Sequence, residues 1–383
     1  MMKIFREFIL PTSFLSGTII GAGIFSLPYF FIKAGVGLGF AALGVWTLVF
    51  IIIHLMYGDL VLRHGDGHRF AGYARIYFGR LGYWISIIMT VVEMFFVLTI
   101  YLLLSSSFVS LLMPSSSVIA QVIVFWGVGT LIIFSGTKRV ALFEFIAIAG
   151  ILAAIVLIAW FGLPGFFQKT FEFASSQPVS WLVVFGPLIF ALNGRPAIPS
   201  VMHYFKRIGK EEKKSKSSII WGTVVSAFVY AVFVVGVLGA TKTVTPDSVS
   251  GLIGIFPTWT ILSVFGVLGI LSLLSSYFSI GLDVKHSLQL DINFPNYIAS
   301  ILVVLIPILI YLINPGSFIS LIEIAGGFFI GLEGIMILMM WRKAKKIAPT
   351  VFVKKINPIF YWGMMAAFVL SMGYVLAENF LFI

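Results

Sequence analysis

Residues 16–28 read Ser16-Gly17-Thr18-Ile19-Ile20-Gly21-Ala22-Gly23-Ile24-Phe25-Ser26-Leu27-Pro28. They lie inside the first long apolar segment, where a helix should run without interruption. Three glycines and a proline argue against continuity. Glycine costs a helix interior about 1 kcal/mol relative to alanine, and proline about 3. Inside a membrane such a break is tolerated only where protein or a water-filled cavity satisfies the freed backbone groups. Many secondary transporters build their substrate site on a discontinuous helix near the bilayer midplane. The stretch therefore predicts a helix that stops, exposes backbone to a cavity, and restarts.

Composition agrees with a membrane setting. The 383 residues are 60% hydrophobic and 10% charged, well under the roughly 25% charged residues of soluble domains. Mean hydropathy is +1.10. The expected fold class is an all-α polytopic membrane protein. The absence of cysteine excludes disulfides, thiolate metal sites and cysteine nucleophiles. The first apolar segment outruns a signal peptide and lacks a small-x-small cleavage site, so none is expected.

About eleven apolar segments follow one another, each near the ~20 residues a bilayer core requires. They fall near 8–35, 38–62, 82–112, 117–136, 140–163, 179–204, 218–240, 259–284, 297–313, 316–341 and 359–381. Polar turns are expected over Arg63–Arg80, up to Pro178, and around Asp247 to Pro257. Basic residues test the count. With the N-terminus inside, alternate loops hold Lys3, Arg6, Arg63, Arg80, Lys138, Arg139, Lys206, Lys210, Lys216, Lys285 and Arg342 to Lys355, whereas the opposite loops hold only Lys33, Lys169 and Lys242. This is the positive-inside pattern. The net charge of +11 is thereby an orientation signal and a lipid-headgroup contact. It does not indicate a nucleic-acid partner.

A second interruption falls in the sixth segment, at Phe190-Ala191-Leu192-Asn193-Gly194-Arg195-Pro196-Ala197-Ile198-Pro199. Each proline removes a backbone donor and restricts its predecessor, and Asn-Gly readily leaves helical geometry. The helix should unwind near 193–196. The two broken segments are five apart, and an odd number of spans per unit inverts one unit relative to the other. Paired breaks at matching positions of two halves point to a transporter site. The competing explanation is a pair of ordinary proline kinks. The expected organisation is a first five-helix repeat over 1–165, an inverted repeat over 166–341, and a basic linker with one extra helix over 342–383.

The run Gly17 to Tyr29 resembles the first-helix motif of the amino acid/polyamine/organocation superfamily, most like its aromatic and hydroxy amino acid permeases. Phe190 to Gly194 with Ala197-Ile198-Pro199 resembles the sixth-helix motif of the same group. The resemblance implies a leucine-transporter-like fold and an amino acid permease driven by sodium ions or protons.

The backbone chemistry of the breaks fits that expectation. Where the first span restarts, amides of Ala22, Gly23 and Ile24 would meet a substrate carboxylate at the positive end of a helix dipole, and Gly21 would let the ligand approach. Carbonyls of Phe190, Ala191 and Asn193, with those of Thr18 and Ile19, would meet an ammonium beside Gly194. Gly17-x-x-x-Gly21 also fits tight helix packing. It does not form a phosphate-cradling G-x-G-x-x-G.

The resemblance also implies a sodium site between the first and eighth helices: carbonyls of Gly17, Ile20 and Ser272, with hydroxyls of Ser275 and Ser276. Proton-coupled relatives often carry a lysine mid-way along the fifth helix. Ala149-Gly150-Ile151-Leu152 has none, which favours sodium. Ser275 and Ser276 could instead bond their own preceding turn. The proton alternative rests on the intramembrane acids Glu93, Glu323 and Glu333, of which Glu93 and Glu333 are the main candidates, because such acids are costly and by default functional. Asp59 and Asp283 are expected to pair with nearby basic residues.

Arg195 departs from the family pattern, where an aromatic or small residue is usual. It could face an acidic substrate, replace the cation, or pair with a membrane acid such as Glu93 or Glu333. Tyr101 could lid the pocket or merely pack. The expected function is a secondary active amino acid transporter, bound to the lipid bilayer of the cell membrane, with its N-terminus cytoplasmic, its C-terminus outside and no cofactor beyond the coupling ion. A non-transporting nutrient receptor on the same fold is the alternative. An enzyme is not expected: His54, His203 and His286 stand apart, and no nucleophile–base arrangement is visible.

Overall fold

The computed structural model describes residues 2–64, 69–135, 140–175, 180–209, 212–252, 259–313, 317–347 and 349–381. All regular elements among them are helical. The first span is α1 (Phe5–Ile19) and α2 (Ala22–Ala34), bent by 51° at their junction. The long helices α3 (Val36–His64), α4 (Phe70–Ser110), α5 (Val118–Ser135) and α6 (Val140–Ser175) follow. The sixth span is split into α7 (Phe185–Ala191) and α8 (Ile198–Arg207). Then come α9 (Glu212–Ala240), α10 (Trp259–Leu290), α11 (Asn296–Leu312), α12 (Phe318–Ile347) and α13 (Pro358–Leu376).

Among the described residues eight helices are long and apolar enough to cross a bilayer, or nine with α1 and α2 taken as one bent span. The shorter apolar stretches Val118–Phe134 and Asn296–Leu312 fall where the fourth and ninth segments were expected. The chain is an all-α integral membrane protein, and both interrupted helices are present. Their cause is visible in the backbone. Ile20 (φ −75°, ψ 89°) and Gly21 (φ −130°, ψ −153°) leave the helical region. Leu192 (ψ 1°) and Gly194 (ψ 8°) do the same ahead of Pro196.

Three expectations are corrected. The turn expected over Arg63–Arg80 is largely helix: α4 begins at Phe70 and bends at Gly79, whose φ of 70° suits a residue without Cβ. Phe70, Tyr73, Ala74 and Tyr77 are buried while Arg75 and Ile76 are exposed, so an amphipathic pattern was hidden among charges. The fifth segment does not end near 163. The helix runs through Pro164 to Ser175. Asp59 pairs with no basic side chain in the described contacts. It accepts hydrogen bonds from Trp341 Nε1 (3.2 Å) and from the amides of Val351 (2.9 Å), Phe352 (2.7 Å) and Val353 (3.2 Å). The carboxylate thus clamps the segment after α12 beneath α3. Lys138, Arg139, Pro178, Lys210 and Pro257 lie outside the described residues.

The seam between α6 and α9 is backbone against backbone. A methyl group at Gly162 would collide with the carbonyl of Gly236, and one at Gly239 with the carbonyl of Gly162. Small residues let membrane helices approach this closely.

Candidate substrate site

The breaks of the first and sixth spans touch. A Cβ on Gly23 would stand 2.8 Å from Ala191 Cα, and one on Gly194 would stand 2.8 Å from the Ile19 side chain. Gly23 could not be replaced without parting the two spans, whereas a methyl at Gly194 would press on the side chains of Ile19 and Leu15. Beside this junction lies a cavity of about 420 Å³, within the range of small-molecule sites.

Of the expected substrate residues, Thr18, Ile19, Gly21, Ala22, Gly23, Tyr101, Phe190, Ala191, Asn193 and Arg195 line this cavity. Ile24 and Gly194 stand behind the wall. The Ile24 amide donates to the Gly21 carbonyl (3.4 Å), closing a tight turn. The Gly194 amide donates to His54 Nε2 (3.0 Å). Gly17, Ile20, Ser272, Ser275 and Ser276 all reach the same cavity. Thr18 turns its hydroxyl back onto the Phe14 carbonyl. Tyr101 is buried, and its hydroxyl accepts the Ala22 amide at 3.2 Å. It caps the restart of the first span.

The cavity has one open end. Phe14, Thr18, Pro196, Ser200 and His286 line it and are exposed. This is the end from which α8 runs on to Lys206 and Arg207. Asp283 lies on the wall near this mouth. Phe25, on the restarting half of the first span, is buried, and its ring meets Phe108 (5.2 Å between centroids) and Phe233 (5.5 Å) edge-on. Ser248 Oγ donates to the Phe25 carbonyl (2.6 Å) and fixes it there.

Two residues that sequence reasoning passed over hold the breaks in place. The Tyr230 hydroxyl on α9 lies 2.6 Å from the Ile19 carbonyl and 2.7 Å from the Ala191 carbonyl. One phenol thus spans the ends of α1 and α7, the two carbonyls expected to face an ammonium. His54 on α3 accepts the Gly194 amide, so its Nε2 carries no proton. Its Nδ1 then donates to Thr223 Oγ1 (3.1 Å), and that hydroxyl donates to the Ile219 carbonyl (3.0 Å). The tautomer follows from this chain of donors. Neither residue carries a local sequence signal, because its partners are distant in the chain.

Arg195 is buried and turned toward acids. Its Nε lies 2.7 Å from Glu333 Oε2 on α12, and one terminal nitrogen lies 3.9 Å from Glu93 Oε2 on α4. The Phe70 ring stacks on the guanidinium at 4.8 Å. Thr90 Oγ1 donates to Glu333 Oε1 at 3.0 Å. Of the three readings of Arg195, the pairing with a membrane acid is the one the geometry presents. Glu93 lines the cavity and Glu333 does not. Two carboxylates face one guanidinium, so one negative charge is left for a proton or a cation to neutralise. Glu323 is buried away from the cavity, with Lys33, Glu378 and Asn379 around it. Among the described residues no three His, Cys, Asp or Glu side chains cluster as a metal site.

A family model, the tryptophan/tyrosine permease family, matches residues 6–378. The chain belongs to the tryptophan/tyrosine permease family. Its members are permeases, which accords with a secondary transporter. The solved structures it resembles carry the same fold at low identity. A nucleobase-cation-symport-1 family transporter, solved in a closed conformation with bromovinylhydantoin bound, aligns at TM-score 0.65 and 16% identity over 97% of this chain and 93% of its own. MhsT in complex with L-phenylalanine aligns at TM-score 0.70 and 14% identity, covering 97% and 98%. A manganese transporter of Eremococcus coleocola aligns at TM-score 0.62 and 12% identity, covering 97% and 87%. No curated protein matches the chain. With these neighbours the leucine-transporter-like fold expected from residues 17–28 is present.

Proposed function

We propose that this permease carries an amino acid across the cell membrane by alternating access, with the zwitterion held at the junction of the two broken spans. One observation carries the reading: Gly23 and Ala191 touch, so the restarting end of the first span and the stopping end of α7 face one cavity with opposite dipoles. The substrate carboxylate sits at the amide of Gly23, beside the Ala22 amide that the Tyr101 hydroxyl holds. The ammonium sits at the carbonyls near Ile19 and Ala191, which keep a lone pair each beside the Tyr230 hydroxyl. No buried charged side chain is needed to neutralise the ligand. The family name and the L-phenylalanine bound to MhsT support an aromatic amino acid.

An ion gradient drives accumulation. The oxygens of Gly17, Ile20, Ser272, Ser275 and Ser276 suit sodium. The surplus carboxylate of the Glu93–Arg195–Glu333 group suits a proton, and it is the observation that favours this second coupling ion. The open end of the cavity lies beside the basic α8 terminus, so under the positive-inside rule this is the cytoplasm-facing state, with the N-terminus inside and the C-terminus outside. The division into repeats at 165/166 and 341/342 belongs to the same reading.

The test is uptake of radiolabelled L-tryptophan and L-tyrosine into proteoliposomes, under a sodium gradient or a pH gradient alone. Accumulation above the equilibrium level under either gradient supports the reading. Binding without any flux makes the protein a receptor and ends it.

A further inference from the structure

Arg195 has a nearer acid than Glu93 in Glu333: by hydrogen-bond geometry Arg195 Nε, Glu333 Oε2 and Glu93 Oε2 all lack an aligned partner, so the group is held by charge. At 2.7 Å the Arg195 and Glu333 charges neutralise each other, and Thr90 fills the second Glu333 oxygen. Glu93 Oε2 stands 3.9 Å from the guanidinium, beyond hydrogen-bond range. This oxygen has no hydrogen-bond partner among the described residues, although Glu93 is only 4% exposed. Buried polar atoms are rarely left so. Glu93 also lines the cavity, whereas Glu333 does not. Glu93 is the acid of this group that reaches the wall of the ligand site.

Its position along α4 says what it meets. Glu93, Val97 and Tyr101 are four residues apart and share one helix face. Tyr101 marks the backbone clamp, because its hydroxyl takes the Ala22 amide. Glu93 lies eight residues away, about 12 Å along the helix axis. Met94, Val97, Phe190 and Ile330 line the cavity as well, and all four are apolar. The wall thus joins an apolar stretch to polar groups, among them Asn193, Arg195, Ser272 and Ser275 as well as Glu93.

We infer that Glu93 is the specificity-determining residue of this site: its carboxylate accepts a hydrogen bond from an N–H or O–H at the tip of an aromatic side chain. The inference rests on the amino acid reading above and deepens it. An indole N–H or a phenol O–H is selected, and a plain phenyl ring of similar shape is rejected because it leaves the buried carboxylate unpaired. Sites built around such a bond discriminate strongly against the analogue lacking it.

The experiment is a competition series on the full-length protein in proteoliposomes, comparing L-tyrosine, O-methyl-L-tyrosine, L-phenylalanine, L-tryptophan and 1-methyl-L-tryptophan. The wild type should favour tyrosine over phenylalanine, and tryptophan over its N-methyl form, by on the order of a hundredfold. Glu93→Leu should bring both ratios close to unity, with a cooperative thermal unfolding transition to show that the variant is folded. Glu93→Gln, which keeps an acceptor, should retain part of the preference. Equal affinities in the wild type, or ratios unchanged in Glu93→Leu, overturn the inference. If the wild type binds no amino acid, the permease reading fails separately. Thermal shifts with indole against its carbon isostere indene then read Glu93 alone: a larger shift with indole, lost in Glu93→Leu, upholds the acceptor, and equal or absent shifts overturn it.

Discussion

Arg195 Nε and Glu333 Oε2 are 2.7 Å apart and join the broken sixth span to α12 inside the membrane. Both side chains are almost wholly buried. Breaking such a pair from one side leaves an uncompensated charge, which costs about 3–5 kcal/mol. Replacing both partners with apolar groups of similar volume is often neutral. Arg195→Met strands both Glu333 and Glu93 and should therefore lower the thermal midpoint sharply in detergent. Combining it with Glu333→Leu and Glu93→Leu, which removes every charge of the group, should recover most of the loss. A triple variant no more stable than Arg195→Met alone would show the ion pairs to be incidental.

Tyr230 holds the carbonyls of Ile19 and Ala191 with one hydroxyl. Tyr230→Phe removes that oxygen and little else. The loss should be about 1–3 kcal/mol of stability, as for other buried groups stripped of a partner. Uptake should fall at least tenfold at matched expression, because the ends of α1 and α7 lose their common tie. Undiminished uptake and an unchanged unfolding midpoint would remove Tyr230 from the site.

His54 accepts the Gly194 amide from across the bundle. His54→Leu leaves that amide buried and unpaired, at a cost of about 1–3 kcal/mol. His54→Gln, which still offers an acceptor, should lose less. Thermal unfolding of the two variants side by side gives the comparison, and equal losses would argue against the bond.

Gly23 meets Ala191 so closely that a Cβ would stand 2.8 Å from the opposing Cα. Gly23→Ala should abolish uptake while the protein still reaches the membrane. Gly44→Ala is the control, because nothing stands within 4 Å of a Cβ there. It should transport at the wild-type rate, with stability unchanged or slightly raised, since alanine favours a helix. Matching uptake rates for the two variants would refute the close approach.

The two helix breaks could be read in the sequence because glycine, proline and Asn-Gly act through local backbone geometry. Arg195 was legible as an anomaly, since a charge in a membrane span needs a partner, but which acid it chose is a matter of helix placement. Tyr230 and His54 gave no signal. Their bonds reach residues far along the chain, and an aromatic ring in a membrane helix ordinarily reads as packing. Asp59 misled for a related reason: its partners are mostly backbone amides of 351–353, which every residue but proline possesses. The segment 70–78 reads as part of a polar turn because Gly72 and Arg75 mask a buried face at helical spacing.

The glycine seam between α6 and α9 has a mechanical side. At Gly162, Gly236 and Gly239 no side chain intervenes to yield under sliding, so in the alternating access proposed above the fifth and seventh helices would travel as one rod. Tyr230 sits on that rod while gripping both fractured spans. A tilt that opened the opposite gate would drag the fifth helix along without slack.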